Sequence, residues 1–236
     1  MKLLILASGK GKRLKIKTKY NPKCLVRVKG KPIIEYLSQN FNIFKNIIIV
    51  GGYKIFKLKK YNSKYCKVHF NKEYSNTNMV HSLFSVKKYI NSDIIVSYSD
   101  IIYSKKILEK MKKNQTTHIP INKNWLNFWK KRMKTDDIYN DAEDLKISKG
   151  YIKTIGEKIQ KKMPKYQFMG LIRINFKDYK KLHTFYKKLG NNNIDMTSFL
   201  NLSIKNKIIK LHYFISDNFW VEIDNQKDLN AVKKII

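Results

Sequence analysis

The first fourteen residues constrain this chain most. Leu3–Ala7 is a short, unbroken apolar run, and Ser8-Gly9-Lys10-Gly11-Lys12-Arg13-Leu14 follows at once. An apolar run of that length without polar alternation predicts a strand buried on both faces. Small residues straight after such a strand let the backbone come close to a ligand. Backbone N–H groups at that place bind an anion, and Lys10, Lys12 and Arg13 are available as counter-charge. The loop is not a Walker A sequence, because the GxxxxGK[ST] spacing is missing. Leu14 stands where a dinucleotide fingerprint needs a third glycine. Taken alone, a GxG loop is also what an ordinary tight turn looks like.

The rest of the first half keeps a strand–helix rhythm. Pro32 opens a predicted helix to about Phe41, and Asn46–Val50 is a second buried strand closed by Gly51-Gly52. Cys66–Phe70 alternates like a strand. Asn78 caps a predicted helix from Met79 to Ile90. Asp93–Ser97 is another buried strand, and Ser104–Lys112 a helix. This order predicts an α/β fold, with a mostly parallel sheet and helices on both faces. In the second half, Asp144–Ile147 and Tyr151–Ile155 flank Ser148-Lys149-Gly150 as a hairpin. Gln167–Asn175 reads as one strand with a helix to about Leu189 behind it, and Ile194–Leu202 as a helix. Ile208–Ile215 and Trp220–Ile223 read as strands, and a last helix follows. With no internal repeat or linker, residues 1–236 read as a single domain, with roughly 120–165 an insertion over the site.

Composition narrows the partners. The formal net charge is +33 over 236 residues. Arginine occurs only at Arg13, Arg27, Arg132 and Arg173, so lysine supplies nearly all of the 50 basic residues. Nucleic-acid recognition leans on the arginine fork, and these lysines are spread along the whole chain. A solvated lysine surface is the expectation, with no nucleic-acid partner. Its positive field would still draw in an anionic substrate. Cys24 and Cys66 form no CxxC pair, and the five histidines form no HxxxH, so neither a disulfide framework nor a zinc site is expected. The apolar start is about half a signal-peptide core, and no run approaches a membrane span. A cytoplasmic location without membrane insertion is expected.

Three further motifs carry chemistry. Lys23, in Asn21-Pro22-Lys23-Cys24-Leu25, follows the loop closely enough to offset charge on a phosphate. Asp100 lies just past a buried strand, at the sheet edge where open α/β folds bind ligands, and suits Mg²⁺. In Trp220-Val221-Glu222-Ile223-Asp224, alternation puts Trp220, Glu222 and Asp224 on one face. Asp224 could complete a metal site with Asp100, or cap the last helix.

The order LAxGxGxRL, PKxL, a strand ending in Asp and a late WxEID resembles the sugar-phosphate and choline-phosphate nucleotidyltransferase superfamily. The resemblance covers nearly the whole chain. It implies a Rossmann-like, mostly parallel (mixed) sheet flanked by helices in a nucleotidyltransferase (GT-A-like) architecture with a small β-hairpin insertion, an NTP donor, Mg²⁺ and release of pyrophosphate. Within the superfamily the chain looks most like the small cytidylyltransferases, which act on phosphocholine, 2-aminoethylphosphonate or phosphoglutamine. Asn76-Thr77-Asn78-Met79-Val80, Asp141-Ala142-Glu143 and Tyr166–Leu171 carry that likeness. The glutamate-lysine-proline segment usual in sugar nucleotidyltransferases is missing. Ser8 stands where alanine is usual.

The catalytic residues so implied are Lys23, Arg13, Asp100 and Asp224, with Asp100 and Asp224 on the metal. The nucleotide set is Leu6, Ala7, Ser8, Gly9, Lys10, Gly11, Lys12, Arg13, Lys23, Gly52, Asn76, Thr77, Asn78 and Ser82. The acceptor set is Tyr98, Trp125, Trp129, Arg132, Asp141, Glu143, Met169, Gly170 and Glu222. Trp125, Trp129 and Arg132 share one predicted helical face beside an acidic group; aromatics with carboxylates suit an ammonium head group and arginine a phosphate. The expected partners are CTP and a small phosphate or phosphonate acceptor, and a homodimer is left open. The alternatives are a sugar-1-phosphate nucleotidyltransferase and a non-catalytic nucleotide- or nucleic-acid-binding protein.

Overall fold

The computed structural model describes residues 1–159 and 162–236. Gln160 and Lys161, in the segment expected to cover the site, lie outside the described residues. The strands Cys66–Phe70, Ile47–Gly51, Lys2–Ala7 and Ile94–Tyr98 lie side by side and parallel, in that order. The sheet continues through Leu171–Ile174, His118–Asn122, His212–Ser216, Tyr151–Lys158 and Glu143–Ser148. Leu171–Ile174 and Tyr151–Lys158 run against the others, so the sheet is mixed but mostly parallel.

The unbroken apolar runs explain the layering. Along Lys2–Ala7, Leu3, Ile5 and Ala7 enter one core, and Leu4 and Leu6 enter the other. Ile47 and Ile49 against Ile48 and Val50 repeat the split. A strand covered on both faces has no polar side to show, which is why these segments do not alternate. Helices pack over each face. Lys105–Lys113 lends Ile107, Leu108 and Met111 to the first core; Phe176–Leu189 and Met196–Lys205 lend Leu182 and Phe199 to the second.

Several elements differ from expectation. The helix at Pro32 is short, Ile33–Ser38, and the helix from Met79 ends at Ser85. Gln167–Asn175 is not one strand. Gly170 at φ 70° breaks it into Gln167–Phe168 and Leu171–Ile174, and a Cβ there would come within 3.0 Å of the Tyr98 ring. The segment beyond residue 120 does not leave the sheet at once, because His118–Asn122 is one of its inner strands. Among the described residues no helix is long and apolar enough to cross a membrane.

Register sets the site. Ala7, Gly51 and Phe70 stand abreast, and Tyr98 lies beside Leu6, so four strands end together at their carboxyl edge. Ser8 and Asp100 both leave the sheet there. A separate two-stranded ribbon, Trp220–Glu222 antiparallel to Ile101–Tyr103, folds the chain's late segment onto the same edge.

Candidate active site

The glycine loop is built to leave its amides free. Gly11 adopts φ 64°, and its carbonyl accepts from the Leu14 N–H at 3.0 Å and the Thr18 hydroxyl at 2.9 Å. Any side chain at Gly11 would be strained, and its Cβ would meet Lys23 Cβ at 2.8 Å. Among the described residues, the N–H groups of Gly9, Lys10 and Gly11 donate to no protein acceptor. Behind them Ser8 is clamped: Tyr53 N–H donates to its carbonyl at 3.1 Å, and its hydroxyl donates to the Val50 carbonyl at 3.2 Å. Ser82, itself held by Asn71, donates to the Ser8 hydroxyl at 3.2 Å. Gly52 is needed beside them, since a Cβ would lie 2.8 Å from the Ser8 carbonyl.

Across the edge lie three carboxylates. Asp100, Glu222 and Asp224 offer oxygens within 4.8 Å of one another. The ribbon brings them there, with the Ile223 N–H donating to the Asp100 carbonyl at 2.9 Å. Lys23 Nζ lies 2.5 Å from Asp100 Oδ2 and bonds Asp224 Oδ1 as well. Arg13 Nη2 reaches Asp224 Oδ1 at 3.0 Å. Burial disfavours the Lys23 ammonium, but Asp100 and Asp224 outweigh it and hold its pKa above the usual lysine range. Burial likewise disfavours ionised Asp224, yet Lys23 and Arg13 keep its pKa below the usual aspartate value. Glu222 is pushed well up, by burial first and then by the charges of Asp224 and Asp100.

Three clustered carboxylates are a hard-oxygen donor set of the kind a divalent cation takes. Asp100 Oδ1 is buried and has no hydrogen-bond partner among the described residues, so a ligating atom is left over. The residues therefore fit a divalent cation, with Glu222 as a third donor where the sequence suggested two. Glu222 also supports a stability test. Folding favours its neutral form, so Glu222 lowers stability progressively as pH rises from the ordinary glutamate value to the raised one, and by the full amount above it. Glu222→Gln is expected to raise the melting temperature at pH 8 in chelator by about 2–4 °C, or about 1 kcal/mol. The gain should vanish as the pH is lowered through the raised value towards 4, and an equal gain at pH 4 and pH 8 would contradict the assignment.

Between loop and carboxylates lies a cavity of about 540 Å³. Of the expected nucleotide set, Gly9, Gly11, Lys12, Arg13, Lys23 and Asn78 line it. Leu6 and Ala7 are buried in the strand, Ser8, Gly52 and Ser82 support the loop, and Lys10 faces a neighbouring concavity. Asn76 and Thr77 lie outside the cavity; Thr77 donates to the Glu73 carbonyl. Of the acceptor set, Tyr98, Trp129, Asp141, Glu143, Gly170 and Glu222 line it.

Three members of that set do not reach the cavity. Trp125 is a core residue, 2% exposed, packed edge-on against Trp129 at 5.0 Å. Arg132 is not on a helical face with the tryptophans, because that helix spans only Trp125–Trp129. Its buried guanidinium pairs with Asp228 instead. Met169 points into the core, and only its carbonyl is used, accepting from Trp220 Nε1 at 2.9 Å. Sequence reasoning missed Gln167, Phe168, Asp195, Met196, Thr197 and Trp220, which all line the cavity. Asp195 had a readable signal: it caps the helix from Met196 by accepting from the Ser198 N–H. Thr197 Oγ1 lies 3.0 Å from both Glu143 Oε1 and Asp195 Oδ1, so a second acidic pair faces the carboxylate cluster.

A loop of free amides over an inner strand of such a sheet, with a cluster of three carboxylates across the edge, is the equipment of a nucleotidyltransferase, and this chain is one. Residues 3–121 match the MobA-like NTP transferase domain. The chain is 34% identical to CTP:phosphoglutamine cytidylyltransferase of Campylobacter jejuni, over 98% of each protein. It belongs to the MobA-like NTP transferase family and groups there with the small cytidylyltransferases. Solved structures agree in fold. The inositol-1-phosphate CTP transferase from T. maritima superposes with TM-score 0.78 at 21% identity, covering 99% of this chain and 94% of that one. The CTP:phosphocholine cytidylyltransferase from Streptococcus pneumoniae does so with TM-score 0.77 at 23% identity, covering 99% and 98%.

Proposed function

We propose that the protein is a Mg²⁺-dependent cytidylyltransferase that moves CMP from CTP to a small phosphate- or phosphonate-bearing acceptor and releases pyrophosphate. A phosphorylated amino acid such as phosphoglutamine is the favoured acceptor. The observation that carries the reading is the meeting, at one sheet edge, of the free Gly9–Gly11 amides with Lys23 and the Asp100–Glu222–Asp224 cluster. The near full-length likeness to a phosphoglutamine cytidylyltransferase supports cytidine and the acceptor class.

In this reading the Gly9–Gly11 amides, Lys12 and Arg13 take the triphosphate. An acceptor phosphate oxygen attacks the α-phosphorus in line. That oxygen is already anionic at neutral pH, so no general base is needed, and positioning with charge neutralisation does the work. Mg²⁺ held by Asp100, Asp224 and Glu222 would supply positive charge to the phosphate oxygens. Lys23 leaves its carboxylates to meet the charge that builds on the leaving oxygen. Glu143 and Asp195, with the Tyr98, Phe168 and Trp129 rings nearby, suit an ammonium group on the acceptor. Arg132 is withdrawn from acceptor contact. The protein is proposed to work in the cytoplasm without nucleic acid.

The test is pyrophosphate release with Mg²⁺ and each of CTP, UTP, ATP, GTP and dTTP against a panel of small phosphates and phosphonates. The expected result is CTP-selective turnover and a CMP-linked amine-bearing product identified by mass. Selective use of UTP or dTTP with a sugar 1-phosphate would replace this reading with the sugar-nucleotide one. CTP binding without turnover across the panel would point to a non-catalytic role.

A further inference from the structure

Behind the cavity lies a buried pair of charges, Arg132 and Asp228, that the proposed transfer does not touch. The side chains of Arg132 and Asp228 are both fully buried, with Nη1 2.9 Å from Asp228 Oδ2. The same Oδ2 accepts from the Asp224 N–H at 2.8 Å and the Asn225 N–H at 3.0 Å. One carboxylate oxygen thus joins the guanidinium, by a close charge contact and not a hydrogen bond, to the backbone of a cation-cluster residue. A second arm returns through side chains. Arg132 Nη2 lies 3.8 Å from Asp141 Oδ2, and Asp141 Oδ1 lies 3.8 Å from Arg13 Nη1. Arg13 Nη2 then reaches the Asp224 carboxylate at 3.0 Å. Charge alternates around this ring, and both arms end on Asp224. The Arg132 guanidinium is packed on the Trp129 ring at 4.4 Å and the Phe128 ring at 5.3 Å, turned away from the cavity.

We propose that Arg132 is a positioning residue. Through Asp228 it fixes the backbone of Asp224, and through Asp141 and Arg13 it sets the direction of the Asp224 carboxylate. The segment from Trp125 to Asp141, which walls the cavity, is thereby joined to the cation cluster. The inference rests on reading Asp224 as a cation ligand. Its physical basis is that a buried carboxylate stays where it is only while paired. Without the guanidinium, Asp228 turns towards water and releases the two amides it holds. Groups behind a metal ligand typically change metal affinity by about 10–100-fold when removed.

The experiment compares the full chain with Arg132→Met, Arg132→Lys, Asp228→Asn and the Arg132→Met/Asp228→Asn double variant. Mn²⁺ affinity is read by electron paramagnetic resonance, and hydrogen exchange is read at the Asp224 and Asn225 amides. Folded Arg132→Met is expected to bind Mn²⁺ about tenfold more weakly and to exchange both amides faster. Asp228→Asn and the double variant should match it, since the pair acts as one unit. Unchanged Mn²⁺ affinity with unchanged exchange, even at a lowered melting temperature, would overturn the proposal and leave Arg132 a packing residue. If Arg132→Met does not fold, Arg132→Lys keeps the charge but loses the planar fork. It should then show the same two changes in weaker form, and their absence would equally overturn the proposal. If the parent chain binds no Mn²⁺, the cation reading fails, and amide exchange alone decides the positioning claim.

Discussion

Asp100→Asn lowers turnover by about 100-fold or more while the melting temperature stays within a few degrees of the parent chain's. The amide keeps the volume of the carboxylate but removes its charge and one accepting oxygen. Among the described residues Asp100 Oδ1 is buried without a partner, so it contributes little to the resting fold and is available as a ligand. Lys23 keeps its pairing with Asp224, which is why stability should change little. Pyrophosphate release and thermal melting on the same preparation check both halves. Full turnover in this variant would remove Asp100 from the cation site.

Lys23→Met should lose turnover on a similar scale, about 100-fold or more, but with a different stability signature. It removes the ammonium that Asp100 and Asp224 share and leaves three carboxylates facing one another, with Arg13 still paired to Asp224. Removing one partner from buried charge pairs suggests a loss of about 2–3 kcal/mol, or roughly 5–10 °C, at pH 8 in chelator. The sign with pH follows from the carboxylates. Lys23 holds the Asp224 pKa down, so its contribution is present above the ordinary aspartate value and lost as pH falls through the lowered one. The variant's deficit should therefore be greatest at neutral and alkaline pH and shrink in acid. A divalent cation that binds only the folded protein should restore the melting temperature as well. A pH-independent deficit unmoved by Mg²⁺ would show that Lys23 is not the counter-charge.

These variants separate what was legible in the residues from what was not. Leu3–Ala7 could be read as a doubly covered strand because its five residues are all apolar, a property that needs no partner to be seen. Cys66–Phe70 was bounded correctly for a similar local reason. Helix ends were read less well. The helix from Met79 stops at Ser85, where the Ser85 hydroxyl turns back to the Ser82 carbonyl and offers the backbone a local alternative. Trp125, Trp129 and Arg132 have helical spacing, but spacing cannot say which way a face points. Trp129 meets the cavity, Trp125 the core, and Arg132 an aspartate near the other end of the chain.

The sequence by itself determined the fold class, the glycine loop after the first strand and the family, since apolar runs, small residues and motif order are written along the chain. Only the tertiary structure decided how the motifs combine. Glu222 joins Asp100 and Asp224 because Trp220–Glu222 pairs with Ile101–Tyr103, a contact between distant segments that no local pattern encodes. Lys23 rests on carboxylates in the free protein because the loop at Gly11 and the ribbon bring charges of opposite sign together. The acidic pair Glu143 and Asp195 forms because a hairpin and a helix N-terminus meet over the cavity. Each depends on which surfaces are buried together, and burial is settled by the whole fold.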